Sequence, residues 1–158
     1  MNDAEMSPAE VRLAELGLTL PEPAAPVAAY VPARQAQGLL FVSGQLPQRF
    51  GEVETGTLGE CTTTEEGAAA ARACGLMLLA QAHHAVGLAR VTGCVKVDGF
   101  VQCVRGYAEQ AKVIDGASQL MLDVFGEAGR HARAAVGVPA LPLGACVEVA
   151  GVFALSEG

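Results

Sequence analysis

The chain has 158 residues and a formal net charge of −7 at pH 7, and it is 51% hydrophobic but only 17% charged. The high apolar share excludes a disordered chain, and the lack of a long uninterrupted apolar run argues against a membrane span. The negative charge disfavours a nucleic-acid partner, because binding to a phosphate backbone depends on clustered Lys and Arg.

The length fits one domain. Only 4% of the residues are aromatic, so the core must be packed from small side chains, and some apolar surface is expected to lie between subunits. The five cysteines lack Cys-x-x-Cys spacing and are expected to be reduced, buried thiols (Cys61, Cys74, Cys94, Cys103, Cys146). The opening Met-Asn-Asp-Ala-Glu lacks the features of a secretory signal, which predicts a cytoplasmic protein.

The N-terminal segment has the signs of a short helix followed by a linker. Ser7 and Glu10 have the spacing of a capping box around Pro8, which predicts a helix over residues 8–16. Three prolines follow between residues 21 and 26 and favour an extended chain. We therefore divide the chain into an N-terminal helix and linker, residues 1–26, and a domain, residues 27–155.

The first half of the domain is predicted to contain a hairpin and a long helix. Residues 27–35 and 38–44 are predicted strands, separated by a turn at Gln37-Gly38. Residues 49–63 have no period and predict a mobile surface connection. An Ala-rich helix is expected to start at Thr64 and to end near Gly87.

The second half continues with a strand over residues 91–103, which alternates so that Val91, Val95 and Val97 share a face and Gly99 suggests a bulge. Asp115 can cap a second core helix running to Phe125. Residues 131–138 and 145–155 are the last predicted strands. Runs of strands with two long helices predict an α+β fold, a mixed sheet with both helices on one face.

The last two strands carry the most informative pair of charges. If they form a hairpin whose turn is centred between Ala140 and Leu141, Arg133 faces Glu148 on the sheet surface opposite Val136, Val138, Val147 and Val149. From the residues alone, an exposed cross-strand ion pair is the ordinary alternative to a binding site.

Three stretches occur in order along the domain: Val-Ser-Gly-Gln-Leu-Pro at 42–47, Ala-Arg-Ala-Ala-Val-Gly-Val at 132–138 before a Leu-Pro turn, and Val-Glu-Val at 147–149. Together they resemble the signature stretches of the RidA (YjgF) family of reactive intermediate deaminases, which is often described as endoribonuclease L-PSP. The resemblance covers residues 27–155. It implies a chorismate-mutase-like sheet backed by two helices, three subunits closed into a homotrimeric barrel, and small-molecule sites in the clefts between them.

The resemblance also implies roles for particular residues. Arg133 matches an arginine that binds the carboxylate of a 2-imino acid, and Glu148 matches a glutamate that holds the attacking water. The main-chain carbonyl of Ala135 and the residues Tyr30, Ser43 and Gly44 match the rest of the family pocket. No cofactor and no metal are implied.

The chain also departs from the family pattern. Ala28-Ala29-Tyr30 replaces the usual Gly-Pro-Tyr, and Gly137 replaces a frequent glutamate. Together with the N-terminal helix and a longer stretch around residues 104–116, these differences indicate a divergent branch, in which the substrate is less firmly implied than the fold.

The leading hypothesis is therefore a hydrolase that converts 2-imino or enamine acids to 2-oxo acids and ammonia. The alternative is a trimer that binds such ligands without turnover. An endoribonuclease is disfavoured by the net charge, by the scarcity of aromatic residues for base stacking and by the lack of a catalytic pair of histidines. The adjacent His83 and His84 point apart on a helix and suit no metal site, whereas His131 shares a face with Arg133 and either lines the pocket mouth or is structural.

Overall fold

The computed structural model describes residues 5–23, 25–26 and 28–158. The helices are α1 (Pro8–Glu15), α2 (Thr64–Val86) and α3 (Gln110–Phe125). The strands are β1 (Ala33–Ala36), β2 (Leu39–Gln45), β3 (Gln48–Arg49), β4 (Glu52–Val53), β5 (Val91–Gln102), β6 (Ala132–Val138) and β7 (Val147–Leu155). Short 3₁₀ turns lie at Leu88–Arg90, Gly126–Gly129 and Pro142–Gly144.

Five strands form one sheet in the order β1-β2-β7-β5-β6, and β3 pairs only with β4. β6 runs parallel to β5, whereas the other pairs are antiparallel, so the sheet is mixed. Both α2 and α3 pack against this sheet and against each other. The predicted α+β fold is therefore confirmed. Among the described residues, no helix combines the length and the apolar character that crossing a membrane requires.

Small residues let the helices approach closely. A Cβ at Gly116 of α3 would collide with the carbonyl oxygen of Ala68 on α2. A Cβ at Gly99 of β5 would collide with Ile114, which is fully buried on α3. Gly99 therefore makes room for a helix, and the bulge predicted there is wrong, because the register of β5 is continuous through this position.

The irregularities of β5 lie earlier in the strand. Its register with β7 shifts between Val91 and Gly93 and again between Cys94 and Lys96. These shifts break the alternation, so Val95 is 40% exposed while Val97 is completely buried. The prediction that Val95 shares the buried face of Val97 is wrong for this reason.

Several element boundaries differ from the prediction. The first strand starts at Ala33 instead of residue 27, and Val27 itself lies outside the described residues. The turn at Gln37-Gly38 is confirmed, since both residues have positive φ angles of 54° and 74°. Residues 49–63 do not lie wholly on the surface as predicted, because they include part of the β3–β4 hairpin and the completely buried Leu58.

The predicted start of α2 at Thr64 is confirmed, and Thr63 caps the helix through a capping box with Glu66. The start of α3 needs correction. α3 begins at Gln110, so Asp115 lies within the helix and is not its cap. The apolar stripe of α3 already includes Val113 and Ile114, and their burial extends the helix ahead of Asp115.

α1 packs on the same core as the rest of the chain. Its predicted capping box between Ser7 and Glu10 is present, and Ala9 and Leu13 are buried. Arg12 also donates a hydrogen bond through Nε to the carbonyl oxygen of Asp123 at the end of α3, 2.8 Å away. The first helix thus covers one end of α3.

The predicted hairpin of the last two strands is wrong. β6 and β7 are not neighbours, because β5 lies between them and pairs with both. Arg133 lies opposite Val97 of β5, and Glu148 lies opposite Phe100. The segment that joins β6 and β7 therefore crosses over β5 instead of making a tight turn.

Candidate functional site

Arg133 and Glu148 lie on opposite faces of the sheet. Gly99 of β5 faces Ile114 on α3, so the odd-numbered positions of this part of β5 face the helices and Phe100 faces away. Residues in register share a face. Arg133 therefore faces the helices beside Val97, and Glu148 lies on the open face beside Phe100. The strand spacings put their Cα atoms about 14 Å apart.

The guanidinium of Arg133 is held from one side by α3. Its Nη1 donates to Asp115 Oδ1 at 2.6 Å and to Ser118 Oγ at 3.2 Å. Among the described residues, neither Nε nor Nη2 has a hydrogen-bond partner. These two nitrogens form the edge of a guanidinium that binds a carboxylate with two parallel hydrogen bonds. The side chain is 23% exposed, so this edge is available in a partly desolvated position.

Arg133 opens onto a shallow pocket of about 250 Å³, lined also by Ser118, Leu122, Arg130 and His131. Ala135 follows on the same face of β6, two residues further along the strand, and packs at the margin of the core. Arg133, Ala135 and the α3 residues that hold Arg133 form one group, which we call the arginine cluster and define as Asp115, Ser118, His131, Arg133 and Ala135.

Glu148 belongs to a second group on the other face. A Cβ at Gly44 would collide with the Glu148 carboxylate, so the lack of a side chain at residue 44 leaves space for that group. Burial raises the pKa of Glu148, and no hydrogen bond or neighbouring charge within the described residues offsets this effect. A carboxyl group whose pKa is raised in this way is suited to accept a proton and to return it.

A bulge in β2 creates the space next to Glu148. Between Val42 and Gln45 the chain takes three steps while β7 takes two, so Ser43 and Gly44 form the irregular part of the strand. The hydroxyl of Ser43 donates to the carbonyl oxygen of Val31 at 2.8 Å, which ties down the segment that carries the half-exposed Tyr30. Gly44 lies against Glu148, and Ser43 and Tyr30 are linked to it along the chain and through the Ser43–Val31 hydrogen bond. We call Tyr30, Ser43, Gly44 and Glu148 the glutamate cluster.

One small ligand cannot contact both clusters of the same chain. The arginine cluster lies at the outer edge of β6 beside α3, and the glutamate cluster lies on the open face near the end of β2. The sequence predicts that Arg133 and Glu148 act together, but each cluster contains only one of these two residues. A site that uses both needs a second copy of the chain.

The remaining candidates have structural roles. His83 accepts a hydrogen bond through Nδ1 from the backbone of Leu88 at the end of α2. No group of three or more His, Cys, Asp or Glu side chains suited to a metal ion exists within the part of the chain that the structure describes.

The cysteines are all free, but the prediction of burial holds only in part. Cys61 is exposed, whereas burial raises the pKa of Cys94 to about 12 and that of Cys146 to about 11. Burial also raises the pKa of the Cys74 thiol. The expected low reactivity of Cys74 and Cys146 follows from these shifts.

Sequence reasoning missed Asp115 and Ser118. Both lie on the same side of α3, since residues three apart on a helix are neighbours. The i, i+3 spacing of two polar residues beside the apolar stripe of α3 was the available signal. It was obscured because Asp115 was interpreted as a helix cap.

The comparisons with known proteins agree with this architecture. Residues 10–155 match the model of a family described as "YjgF/chorismate mutase-like, putative endoribonuclease". The chain belongs to this YjgF family. Protein TCP17 of Trypanosoma cruzi is 48% identical over 148 residues, which are 92% of each protein.

Two solved structures extend the comparison. A protein of Shewanella oneidensis, described as a "putative endoribonuclease", has a TM-score of 0.90 and 38% identity, with coverage of 95% of this chain and 100% of that chain. RidA from an Antarctic Psychrobacter has a TM-score of 0.58 and 25% identity, with coverage of 87% and 96%. The family and the fold predicted from the sequence are thus confirmed.

Proposed function

We propose that this YjgF-family protein hydrolyses reactive 2-imino acids, and the enamines from which they arise, to 2-oxo acids and ammonia. The site is a cleft between two copies in a homotrimer. One copy supplies the arginine cluster, and the next supplies the glutamate cluster. The observation that carries the proposal is the unoccupied Nε–Nη2 edge of Arg133, a carboxylate-binding edge on a guanidinium already fixed through Nη1.

The substrate is recognised by its carboxylate. Arg133 stays cationic at any physiological pH and offers two parallel donors, so it fixes the position of the neighbouring C=N carbon as well as the charge. Asp115 and Ser118 occupy Nη1 and do not have to be displaced. An arginine held in advance loses little conformational entropy on binding.

Glu148 handles the protons of the hydrolysis. It takes a proton from a water molecule as the water oxygen bonds to the imine carbon, and the resulting carbinolamine keeps the nitrogen. Glu148 returns this proton to the nitrogen, which completes the neutral carbinolamine. It then takes the proton of the new hydroxyl group and passes it to the same nitrogen, so the C–N bond breaks, ammonia leaves and the C=O group forms. Burial raises the pKa of Glu148, which favours this transfer because it makes the carboxylate a better proton acceptor while the carboxyl group can still return the proton.

The direct test generates 2-iminobutyrate in place with a dehydratase and follows its loss against the uncatalysed rate. Arg133→Ala should abolish both hydrolysis and binding of 2-oxobutyrate. Glu148→Gln should keep binding but lower the rate by roughly 10²-fold. The exposed Arg105→Ala and Glu157→Gln serve as matched controls and should behave as the wild type.

Two results would favour a different function, and a third would rule out the arginine cluster as the site. Wild-type protein that binds 2-oxobutyrate through Arg133 without accelerating imine loss is a ligand-binding trimer. Wild-type protein that cleaves RNA, with cleavage lost in Arg133→Ala, would favour the activity in the family description over imine hydrolysis. An Arg133→Ala variant with unchanged binding and hydrolysis would show that the arginine cluster is not the site.

A further inference from the structure

The arginine cluster contains a directed chain of hydrogen bonds. His131 Nδ1 lies 2.7 Å from the carbonyl oxygen of Gly129, and because a carbonyl only accepts, Nδ1 carries the hydrogen. In the neutral ring Nε2 is then an acceptor, so the Ser118 hydroxyl, 2.8 Å away, donates to it. The Ser118 oxygen in turn accepts from Arg133 Nη1.

Local structure fixes each residue in this series of hydrogen bonds. Ser118 and Asp115 lie one helical turn apart on α3, and His131 and Arg133 lie two residues apart on the extended chain that leads into β6. Gly129 packs so closely on α3 that a Cβ would collide with the carbonyl oxygen of Met121. The carbonyl that orients His131 is therefore held against the helix that carries Ser118.

We propose that Ser118 and His131 are positioning residues for Arg133, and that the protonation of His131 tunes how tightly the arginine cluster binds a substrate carboxylate. This inference rests on the proposed function, since it concerns the same ligand. Ser118 fixes the direction of the guanidinium. His131 decides which way the Ser118 hydroxyl points.

Protonation of His131 changes two things in the pocket. Nε2 becomes a donor to Ser118 Oγ, so the hydroxyl hydrogen is released and turns toward the pocket as an additional donor. The imidazolium also places a second positive charge beside Arg133. Both changes favour an anion, so carboxylate binding should tighten as pH falls and His131 gains a proton.

The other charges near His131 come from three elements. Asp115 of α3 holds Arg133. Glu127 and Arg130, at the 3₁₀ turn before β6, form an exposed pair with each other. Lys96 of β5, in register with Ala132, pairs with Asp98. Each of these charges has a partner of opposite sign, and that of Asp115 is Arg133 itself, so protonation of His131 supplies the change in net charge at the pocket.

The test measures the dissociation constant of 2-oxobutyrate by calorimetry at several pH values between about 8 and 5. This ligand remains ionised throughout, because carboxyl groups of this kind titrate well below pH 5. The wild type should bind several-fold more tightly at the acid end. His131→Gln keeps a donor and an acceptor but does not titrate, so its pH dependence should be flatter than that of the wild type.

Ser118→Ala should weaken binding about fivefold to tenfold, because it removes one of the two hydrogen bonds that hold Nη1 of Arg133 and leaves the contacts between Arg133 and the ligand in place. Ser118→Thr keeps the hydroxyl and should restore most of the affinity, which separates the hydroxyl from helix packing. The exposed Ser156→Ala and His84→Gln are matched controls and should leave both affinity and pH dependence unchanged.

The outcomes separate this inference from the proposed function. If Arg133→Ala abolishes binding while Ser118→Ala and His131→Gln match the wild type in affinity and pH profile, the positioning role is wrong and the proposed function stands. If Arg133→Ala binds 2-oxobutyrate normally, both are wrong. If His131→Gln alone loses the pH dependence and Ser118→Thr recovers what Ser118→Ala loses, the inference holds.

Discussion

Arg133 is the residue on which the proposed ligand binding depends. Its Nη1 is bound to Asp115 and Ser118, and the Nε–Nη2 edge has no partner among the described residues. A lysine in this position would supply the same charge on one ammonium group, without the two parallel donors of the guanidinium. Orientation of the bound ligand therefore depends on the planar shape of the guanidinium.

The first prediction concerns Arg133→Lys. It keeps the positive charge but loses the paired donors, so 2-oxobutyrate should bind about tenfold to a hundredfold more weakly, the effect of losing one charge-assisted hydrogen bond. Calorimetry on the folded variant gives the answer, with the exposed Arg105→Lys as control. Unchanged affinity would mean that charge alone binds the ligand.

The second prediction concerns stability. Burial raises the pKa of Glu148, so the folded protein favours the neutral carboxyl. The contribution of this group to the free energy of unfolding is present below its ordinary pKa and is lost as pH rises through the raised pKa. Glu148→Gln removes this loss. The melting temperature of the variant minus that of the wild type should therefore increase as pH rises from about 4 to 7.

Thermal unfolding of the ligand-free protein measures this difference. Glu157→Gln, at an exposed position near the C-terminus, is the matched control and should show no pH-dependent difference from the wild type. A difference for Glu148→Gln that shrinks with rising pH would contradict the burial of the carboxylate as the cause.

At the residue scale, the sequence shows which motif a residue belongs to, but not which distant residues it contacts in the folded chain. The motifs around Ser43, Arg133 and Glu148 could be recognised, because each lies within a short continuous stretch. The contacts of Arg133 with Asp115 and Ser118 span 18 and 15 residues and cross from a strand to a helix. No local pattern specifies such a contact before the packing of α3 is known.

At the scale of elements, the two helices and the strands were predictable from periodicity, but their pairing was not. Two Val-rich strands joined through Pro139 and Pro142 suggest a hairpin, because consecutive strands are neighbours in most folds. Here β5 takes the place between them. Alternation tells which residues share a face within a strand, and it carries no information on which strand lies beside which.

The close approach of α2 and α3 gives the third prediction. Gly116→Ala favours the isolated helix by up to about 1 kcal/mol, but its Cβ would meet the backbone oxygen of Ala68, which cannot rotate away. The helices would have to separate, so the variant should lose about 1–3 kcal/mol of unfolding free energy. Urea unfolding measures this loss, and a variant at least as stable as the wild type would contradict the packing described.

At the scale of the whole molecule, the open face of the sheet has apolar side chains in contact with solvent. Phe41 and Val136 lie on this face and are 46% and 45% exposed. Glu148 lies on the same face beside Phe100. A single chain leaves this surface uncovered, whereas three sheets closed into a barrel would bury it and bring each Glu148 toward another copy.

The fourth prediction tests this assembly. The wild type should have the mass of three chains in light scattering coupled to size exclusion. Val136→Glu should dissociate it, because the new carboxylate would be buried without a partner. Ser156→Glu adds the same charge at an exposed position outside the sheet and should remain trimeric. A wild type that is monomeric at micromolar concentration would exclude the assembly.

The central claim is that Arg133 of one copy and Glu148 of another form one site, and subunit mixing tests it most directly. Arg133→Ala and Glu148→Gln are each expected to be impaired alone. In trimers mixed at random from equal amounts, about a quarter of the clefts combine an intact Arg133 with an intact Glu148. Imine hydrolysis should therefore recover to about a quarter of the wild-type rate per cleft. No recovery in trimers shown by native mass spectrometry to be mixed would contradict a shared site.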